Sequence, residues 1–239
     1  MPIKFSLVIP TYNEEKNLKN LSQQLVSVLS NLNLDFEIII VDDNSPDGTW
    51  IIAEDLAKQD RRIKLIRRRH ERGLASAVVS GWGASEGEIL GVIDGDMQHP
   101  FAVLAEMIKM ILDDTGIDIV VASRYATGGK ILKGCFWQGI RSKLATFLGK
   151  IIVSKIFKLI KDPLSGYFIL RRRVIAGAKF SPIGFKILLE VLAKGRYKKV
   201  VEVPYLFGRR EAGSSKSDLS QSFISLVHFI RLRLISVDK

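Results

Sequence analysis

Short apolar runs alternate with longer amphipathic stretches along most of this chain. Residues 5–10 form an apolar run, and the stretch that follows carries leucine and valine at helical spacing up to residue 29. Apolar runs of about four to eight residues are typical of buried strands, and a 3.6-residue period is typical of amphipathic helices. The same alternation predicts strands at 36–41, 63–66, 89–93, 117–123, 168–170 and 200–206, and helices at 50–59, 75–84, 101–113 and 184–194.

Strand followed by helix, repeated at this rhythm, predicts an α/β fold. Right-handed crossovers then build a mostly parallel sheet with helices on both faces. Neither an internal repeat nor a low-complexity linker interrupts the pattern. We therefore expect one domain over residues 1–216, with one stretch inserted at 137–161, and a separate amphipathic helix at 217–239.

The two stretches at 137–161 and 219–235 are amphipathic and basic. In the first, apolar residues recur at helical spacing, and lysine or arginine occupies much of the remainder. One interpretation is a surface helix whose apolar face belongs to the core. The other is a helix lying in a membrane interface, with its cations on anionic head groups.

Composition narrows the class of protein. The formal net charge of +11 indicates an anionic partner: nucleic acid, nucleotide phosphates or a membrane surface. The single cysteine, Cys135, excludes a disulfide framework and favours a reducing compartment. The first ten residues lack the features of a signal peptide, and no uncharged run reaches the roughly 18 residues of a spanning helix. We expect a cytoplasmic protein.

The strand at 89–93 ends in the most informative chemistry of the chain. Asp94 and Asp96 follow it with only Gly95 between them. Polar residues after the strands at 5–10 and 36–41 should reach the same edge of the sheet, where open α/β sheets bind ligands. Two carboxylates at this spacing suit Mg²⁺ or Mn²⁺, which use hard oxygen ligands and share them with substrate phosphates. The alternative is a solvated Asp-Gly-Asp turn.

Four motifs occur in order, each beside a predicted strand. The chain therefore resembles the inverting glycosyltransferases of family 2, which have the GT-A (Rossmann-like) fold. Among them it is most similar to the polyprenyl-phosphate glycosyltransferases, in particular those that transfer mannose. The motifs are Val8-Ile9-Pro10-Thr11-Tyr12-Asn13-Glu14, Val41-Asp42-Asp43-Asn44-Ser45-Pro46-Asp47-Gly48, Asp94-Gly95-Asp96-Met97-Gln98-His99-Pro100 and Asp162-Pro163-Leu164-Ser165-Gly166.

The resemblance implies a nucleotide-sugar site and a lipid-phosphate site. It implies that Asp96 and Gln98, with Asp94 beside them, bind the metal. Arg141 would meet the lipid phosphate, and Asp96, Arg210 and Lys216 would be catalytic. Which of Arg209 and Arg210 contacts phosphate stays open, although the spacing to Lys216 favours Arg210. The residues implied to bind the nucleotide sugar are Pro10, Tyr12, Glu14, Val41, Asp43, Asp94, Gly95, Asp96, Gln98, Arg124, Arg210 and Lys216.

The expected activity is transfer of a hexose, mannose in our interpretation, from GDP-mannose to a polyprenyl or dolichyl phosphate. The enzyme would then be peripheral on the cytoplasmic face of an anionic membrane, and a membrane-protein partner is left open. Glycine stands where the family more often has alanine in the acidic motif, and Met97 where leucine is common. Both changes conserve size closely, so we expect little effect.

Alternatives remain at this point. UDP-glucose is the other donor we consider, because the base-pocket residues are shared broadly; His99-Pro100 favours mannose. A non-catalytic membrane-surface module is less consistent with intact acidic and cationic motifs. A nucleic-acid-binding protein is disfavoured, because no such module is recognisable and the basic residues follow amphipathic stretches.

Overall fold

The computed structural model describes residues 3–131, 154–181, 184 and 186–208. Strands and helices alternate along this part of the chain, as the sequence pattern predicts. The strands are β1 (Phe5–Thr11), β2 (Phe36–Asp42), β3 (Ile63–Arg67), β4 (Ile89–Val92), β5 (Ile119–Ser123), β6 (Lys130–Ile131), β7 (Phe168–Arg171), β8 (Val200–Pro204) and β9 (Leu206–Phe207). The helices are α1 (Glu15–Ser30), α2 (Thr49–Gln59), α3 (Leu74–Ala84), α4 (Phe101–Asp113), α5 (Ser154–Leu159) and α6 (Ile187–Lys194).

Seven strands form one sheet in the order β3-β2-β1-β4-β7-β5-β8. Strand β7 is antiparallel to both of its neighbours, and the other pairs are parallel. The predicted mostly parallel sheet is therefore confirmed. A short parallel pair, β6 with β9, forms a second small sheet.

Side-chain alternation along the strands distributes the core over both faces of the sheet. On one face, Leu7 and Ile9 pack with the apolar sides of α1, α2 and α4. On the other face, Val8 packs with α3, α5 and α6. Successive strand residues point to opposite faces, so each strand contributes to both layers. Helices thus cover both faces, as predicted.

Glycine permits close packing at the centre of this sheet. A Cβ atom on Gly91 of β4 would lie 2.7 Å from Cζ of Phe5. On Gly81 of α3 it would lie 2.5 Å from Cγ1 of Val8. Neither position has room for a side chain. These glycines therefore allow the close contacts of β4 and α3 with the side chains of β1.

Several predicted boundaries differ from the structure. Helix α6 begins at Ile187, three residues later than predicted, after a turn with Gly184 at φ +73°. The predicted strand at 200–206 ends at Pro204, and the chain re-forms a strand at Leu206 to pair with β6.

Only the last part of the predicted amphipathic stretch at 137–161 is described. It contains α5 and ends with Ile156 and Ile160 buried in the core. The surface-helix interpretation therefore holds for these two residues. The rest of that stretch, the stretch at 219–235 and the boundary at 216/217 lie outside the described residues. No helix in the described ranges has the length and apolarity needed to cross a membrane.

Two substitutions on the same helix test the close packing of α3. Gly81→Ala should lower the free energy of unfolding by roughly 1–2 kcal/mol, because overpacking costs about 1–3 kcal/mol and alanine regains about 0.5–1 kcal/mol in a helix. Gly83→Ala is the matched control. Its Cβ would meet nothing within 4 Å, so it should gain about 0.5–1 kcal/mol. Urea unfolding of both variants measures the difference, and equal stabilities would contradict this description of the packing.

Candidate active site

The candidate site lies at the carboxyl ends of β1, β2 and β4. Strand β1 is flanked by β2 on one side and β4 on the other, so the connections after β1 and β2 diverge from those after β4. Such a change of direction creates a crevice at the sheet edge. A Cβ atom on Gly95 would lie 3.4 Å from Cγ of Glu14 and 3.5 Å from Cγ2 of Thr11. The predicted convergence is therefore confirmed for the loops after β1 and β4.

The loops after β1 and β2 are joined by side chains that bind backbone. The buried carboxylate of Asp42 accepts hydrogen bonds from Thr11 Oγ1 at 2.9 Å and from the Ser45 backbone N–H at 2.8 Å. Ser45 Oγ in turn accepts the backbone N–H of Asn13 at 3.0 Å, and Thr49 Oγ1 accepts that of Glu14 at 2.9 Å. These bonds fix the backbone on either side of Tyr12, so the two loops form one rigid wall.

Asp43 is buried and held by a guanidinium. Arg68 Nε donates to Asp43 Oδ1 at 2.7 Å, and the Gly73 backbone N–H donates to Oδ2 at 2.7 Å. The side chains of both residues are less than a tenth exposed. Both oxygens of the carboxylate therefore already accept a hydrogen bond, and its orientation is fixed before any ligand binds. Sequence analysis did not identify Arg68, because it lies within a run of basic residues that carries no motif.

Two further predicted nucleotide residues, Pro10 and Val41, are direct partners across the β1–β2 pair. Tyr12 follows them in a partly buried position, and the guanidinium carbon of Arg72 lies 5.1 Å from its ring centroid. The structure thus groups Pro10, Tyr12 and Val41 on the β2 side of the crevice, together with Asp43.

The Asp94 carboxylate lies against the backbone before β7. A Cβ atom on Gly166 would come within 2.5 Å of Asp94 Oδ2, so only glycine fits there. His99 Nε2 is 3.5 Å from the same oxygen. Among the described residues, Asp94 Oδ1 is a buried atom without a hydrogen-bond partner, and so are both imidazole nitrogens of His99. A buried acceptor of this kind is suited to a cation.

Asp96 and Gln98 lie in the tight turn that follows. Met97 between them has φ +62°, in the left-handed region. Asp96 Oδ1 accepts the Gln98 backbone N–H at 3.2 Å. Gln98 Nε2 donates to the carbonyl of Gly208 at 2.9 Å, and the Gly208 N–H donates to the Gln98 carbonyl at 3.0 Å. Gln98 therefore joins the acidic motif to the segment that follows β9.

The donor atoms of Asp94, Asp96 and Gln98 can be compared with those that a divalent metal ion requires. The described residues contain no cluster of three or more His, Cys, Asp or Glu side chains arranged for a metal. Two carboxylates and an amide do not need such a cluster, because Mg²⁺ typically takes one or two carboxylates and completes its shell with phosphates and water. With the orphaned Oδ1 of Asp94, the residues present fit a hard divalent cation.

Arg124 forms a buried ion pair beside the acidic motif. Its Nε and Nη2 atoms each donate to Asp162 at 2.8 Å, and its backbone N–H donates to the same carboxylate at 3.1 Å. Burial alone would lower the pKa of Arg124, but the Asp162 carboxylate outweighs it and the pKa is raised. Asp162 is therefore the counter-ion of Arg124.

A cavity of about 90 Å³ lies on the far side of Asp94 from the β2 wall. Arg124 and Lys186 supply its cations. Burial and then the charge of Arg124 lower the pKa of Lys186 to about 8, while Asp94 and Asp162 act in the opposite direction. The remaining lining is largely apolar or aromatic; the full set is Leu74, Asp94, His99, Arg124, Leu164, Gly166, Lys186, Tyr205 and Phe207.

The other predicted site residues are not described. Arg141, Arg209, Arg210 and Lys216 lie outside the described ranges. Conversely, sequence analysis did not find Lys186, because a single lysine before an apolar helix gives no signal until the fold brings it beside Asp94 and Arg124.

Gly166→Ala tests whether the close approach to Asp94 matters for activity. The new methyl group must displace the Asp94 carboxylate, and a misplacement of about 1 Å can cost on the order of 10²-fold in rate. We expect the activity of the protein to fall by about that factor, with a melting temperature close to that of the parent. Gly83→Ala, with open space at its Cβ, is the control for glycine replacement. If Gly166→Ala kept the activity of the parent, the position of the Asp94 carboxylate would not matter for the reaction.

The sequence is similar to those of known glycosyltransferases. The glycosyl transferase family 2 model matches residues 6–177. The dolichol-phosphate mannosyltransferase of Pyrococcus furiosus is 45% identical over 230 residues, 96% of this chain and 64% of that protein. The enzyme of the same name from Saccharomyces cerevisiae is 34% identical, over 90% of this chain and 82% of that protein. The polyprenol monophosphomannose synthase of Mycolicibacterium smegmatis is 32% identical, over 88% and 79% respectively.

A solved structure gives the same architecture. Glucosyl-3-phosphoglycerate synthase from Mycobacterium tuberculosis, in complex with Mn²⁺, UDP and glucosyl-3-phosphoglycerate, superposes with a TM-score of 0.71. The alignment covers 97% of this chain and 80% of that one at 18% identity, a likeness that shows the fold alone. Because the sequence match spans most of the chain, including the acidic turn after β4, this chain belongs to glycosyl transferase family 2.

Proposed function

We propose that this protein transfers mannose from GDP-mannose to a polyprenyl phosphate, such as a dolichyl phosphate, at a membrane surface. The observation that carries the proposal is the acidic turn of Asp94 and Asp96 at the crevice, in a chain similar over most of its length to mannosyltransferases. This chain spans 64% of the length of the Pyrococcus furiosus relative. The shared part contains the crevice and its acidic residues.

The acceptor determines the chemistry that the protein has to supply. A phosphate monoester carries a charge of about −1.5 to −2 near pH 7, so its oxygen is already a nucleophile and needs no general base. Catalysis can then rest on positioning the two substrates and on stabilising the departing diphosphate. Attack from the face opposite the leaving group inverts the anomeric centre. An α-linked donor would therefore give a β-linked lipid product.

The β2 side of the crevice is the proposed nucleotide pocket. Pro10, Tyr12 and Val41 would contact the base and ribose, with Glu14 beside them. Asp43 would accept hydrogen bonds from the N–H groups of the base, because Arg68 and Gly73 already hold it as an oriented carboxylate. An ionised carboxylate only accepts hydrogen bonds, so in a fixed position it favours bases that place N–H groups opposite it.

We assign the divalent-cation site to Asp96 and Gln98, with Asp94 beside them and Gly95 keeping the turn close to the donor. When bound, Mg²⁺ or Mn²⁺ supplies positive charge to the leaving diphosphate. In the protein itself, the Asp96 carboxylate accepts the Gln98 backbone N–H and so orients this residue. The Gln98 backbone carbonyl accepts the Gly208 N–H, and the Gln98 side-chain amide donates to the Gly208 carbonyl. Arg124 would contact the donor from the other wall while Asp162 holds it in place.

The roles proposed for the remaining cations come from the family resemblance. Arg210 and Lys216 would bind the donor diphosphate and Arg141 the lipid phosphate. The net charge of +11 favours a position on an anionic membrane, and the proposed location is the cytoplasmic face. At this location the protein could also bind a partner protein in the same membrane.

The metal hypothesis is tested with Asp96→Asn. Loss of this carboxylate removes a ligand of the cation and should abolish measurable transfer of labelled mannose, because the diphosphate then departs without its counter-charge. EDTA should have the same effect on the parent enzyme, and added Mn²⁺ should restore the activity. Asp55→Asn, which changes an exposed aspartate near Lys58, is the matched control. Full transfer in EDTA would refute metal dependence.

The donor hypothesis is tested by thermal unfolding with Mn²⁺ and either GDP-mannose or UDP-glucose. A ligand at about 100 times its Kd stabilises the native state by about 2.7 kcal/mol. GDP-mannose should therefore raise the melting temperature at concentrations where UDP-glucose has little effect. A larger shift with UDP-glucose would make the protein a polyprenyl-phosphate glucosyltransferase. If neither donor binds and neither sugar is transferred, the membrane-surface module is the better description.

A further inference from the structure

Left-handed backbone conformations are concentrated at the active edge of the sheet. Among the described residues, the non-glycine residues with positive φ are Asn13, Asn33, Asn44 and Met97. Asn13 follows β1, Asn44 follows β2 and Met97 follows β4, so these three lie in loops at the crevice. Residues held in sparsely populated backbone conformations cluster at functional sites, where the surrounding structure imposes them.

Met97 differs from the three asparagines in its chemistry. Asparagine tolerates the left-handed region because its short polar side chain can form local hydrogen bonds. Methionine has no such group, yet Met97 has a φ of +62°. In an L-residue of this conformation, the Cβ atom lies too close to the following carbonyl oxygen. The conformation of Met97 is therefore unfavourable by itself and has to be stabilised by its neighbours.

Hydrogen bonds hold the turn on both sides of Met97. On the β4 side, Asp96 is buried, and its Oδ1 accepts the backbone N–H of Gln98 at 3.2 Å. On the other side, the Gln98 carbonyl accepts the Gly208 N–H at 3.0 Å, and Gln98 Nε2 donates to the Gly208 carbonyl at 2.9 Å. The Met97 side chain is partly buried and packs against the core on the α1 and α4 face of the sheet.

The left-handed conformation determines the direction of the chain between Asp96 and Gln98. Moving Met97 to the right-handed region, with φ near −63°, is a rotation of roughly 125°. After such a rotation, Gln98 cannot keep its N–H on the Asp96 carboxylate while it also stays paired with Gly208. Asp96 and Gln98 would then no longer lie together on one tight turn.

We infer that Met97 is a positioning residue for the divalent cation, and that its left-handed backbone, not its side chain, keeps Asp96 and Gln98 together. The inference rests on the proposed function, which assigns the cation to these two residues. It adds a requirement that the acidic motif alone does not contain. The residue between the two ligands has to accept a positive φ.

Three substitutions at Met97 separate the backbone from the side chain. Met97→Asn removes the apolar side chain but tolerates positive φ, as Asn13 and Asn44 do in the neighbouring loops. Met97→Val keeps an apolar side chain, but a β-branched residue is an outlier at positive φ. Met97→Leu keeps an apolar side chain without branching at Cβ. Met110→Val is the matched control, because Met110 is also a partly buried methionine on the same core, but lies in helix α4.

The first measurement is the gain in GDP affinity that Mn²⁺ provides, from titrations of GDP into each protein in Mn²⁺ and in EDTA. Met97→Val should lose about tenfold of this gain, the factor that corresponds to about 1.4 kcal/mol of backbone strain. Met97→Asn, Met97→Leu and Met110→Val should stay within about twofold of the parent. The Kd in EDTA should be the same for every variant, because the nucleotide wall is unchanged.

The second measurement is hydrogen exchange of the Gln98 and Gly208 backbone amides, which needs no metal. Both amides donate hydrogen bonds that depend on the turn. Met97→Val should therefore raise their exchange rates by about tenfold. Met97→Asn should leave these rates close to those of the parent, even though loss of apolar packing lowers its melting temperature.

Two outcomes would contradict the inference. If Met97→Asn lost metal-dependent affinity and amide protection as Met97→Val does, the side chain and not the backbone would position the turn. If Met97→Val lowered only the melting temperature, the fold would impose the conformation on either residue, and Met97 would have only a structural role.

Failure of the proposed function gives a different result. A parent protein whose GDP affinity is the same in Mn²⁺ and in EDTA would refute the proposed cation site. The exchange rates of Met97→Val and Met97→Asn would then still decide whether the backbone of Met97 holds Asp96 and Gln98 together.

Discussion

The buried ion pair between Arg124 and Asp162 holds together one wall of the site. Arg124 directly follows β5, and Asp162 lies just beyond α5, in the segment that leads into β7. Glu202 of β8 accepts the backbone N–H groups of both Lys161 and Asp162, at 2.9 and 3.0 Å. Three separate parts of the chain are thus fixed by one cluster of charges. Removing one member of a buried pair typically costs about 3–5 kcal/mol, because the other charge is left without compensation.

The same cluster determines where Gly166 lies and therefore what surrounds Asp94. Ser165 Oγ donates to the carbonyl of Ala122 at 2.8 Å, and its backbone N–H donates to the carbonyl of Asp162 at 3.2 Å. The glycine that follows is pressed against the Asp94 carboxylate. Because β7 is antiparallel to its neighbours, the start of this strand, and not its end, reaches the active edge. The site is therefore completed by residues that come before a strand as well as after one.

Sequence patterns predicted the fold and the acidic centre well, because both depend on local features. Apolar strands with a 3.6-residue pattern between them specify an α/β sheet, and Asp94 and Asp96 must lie at its edge because they end a buried strand. Arg68 and Lys186 could not be found in this way. Each acquires its surroundings from residues distant in sequence: Arg68 from Asp43, and Lys186 from Asp94 and Arg124. The pairing of Arg124 with Asp162 likewise joins residues 38 positions apart, so the sequence pattern alone does not indicate it.

The reciprocal hydrogen bonds between Gln98 and Gly208 have a thermodynamic consequence. Gly208 is the residue before Arg209, and two bonds connect it to the acidic turn. Any ligand that binds more tightly when these bonds are intact stabilises them. By linkage, intact bonds must then strengthen the binding of that ligand by the same free energy. For such a ligand, occupancy of the acidic turn and the position of Gly208 are coupled equilibria, and a change in one changes the other.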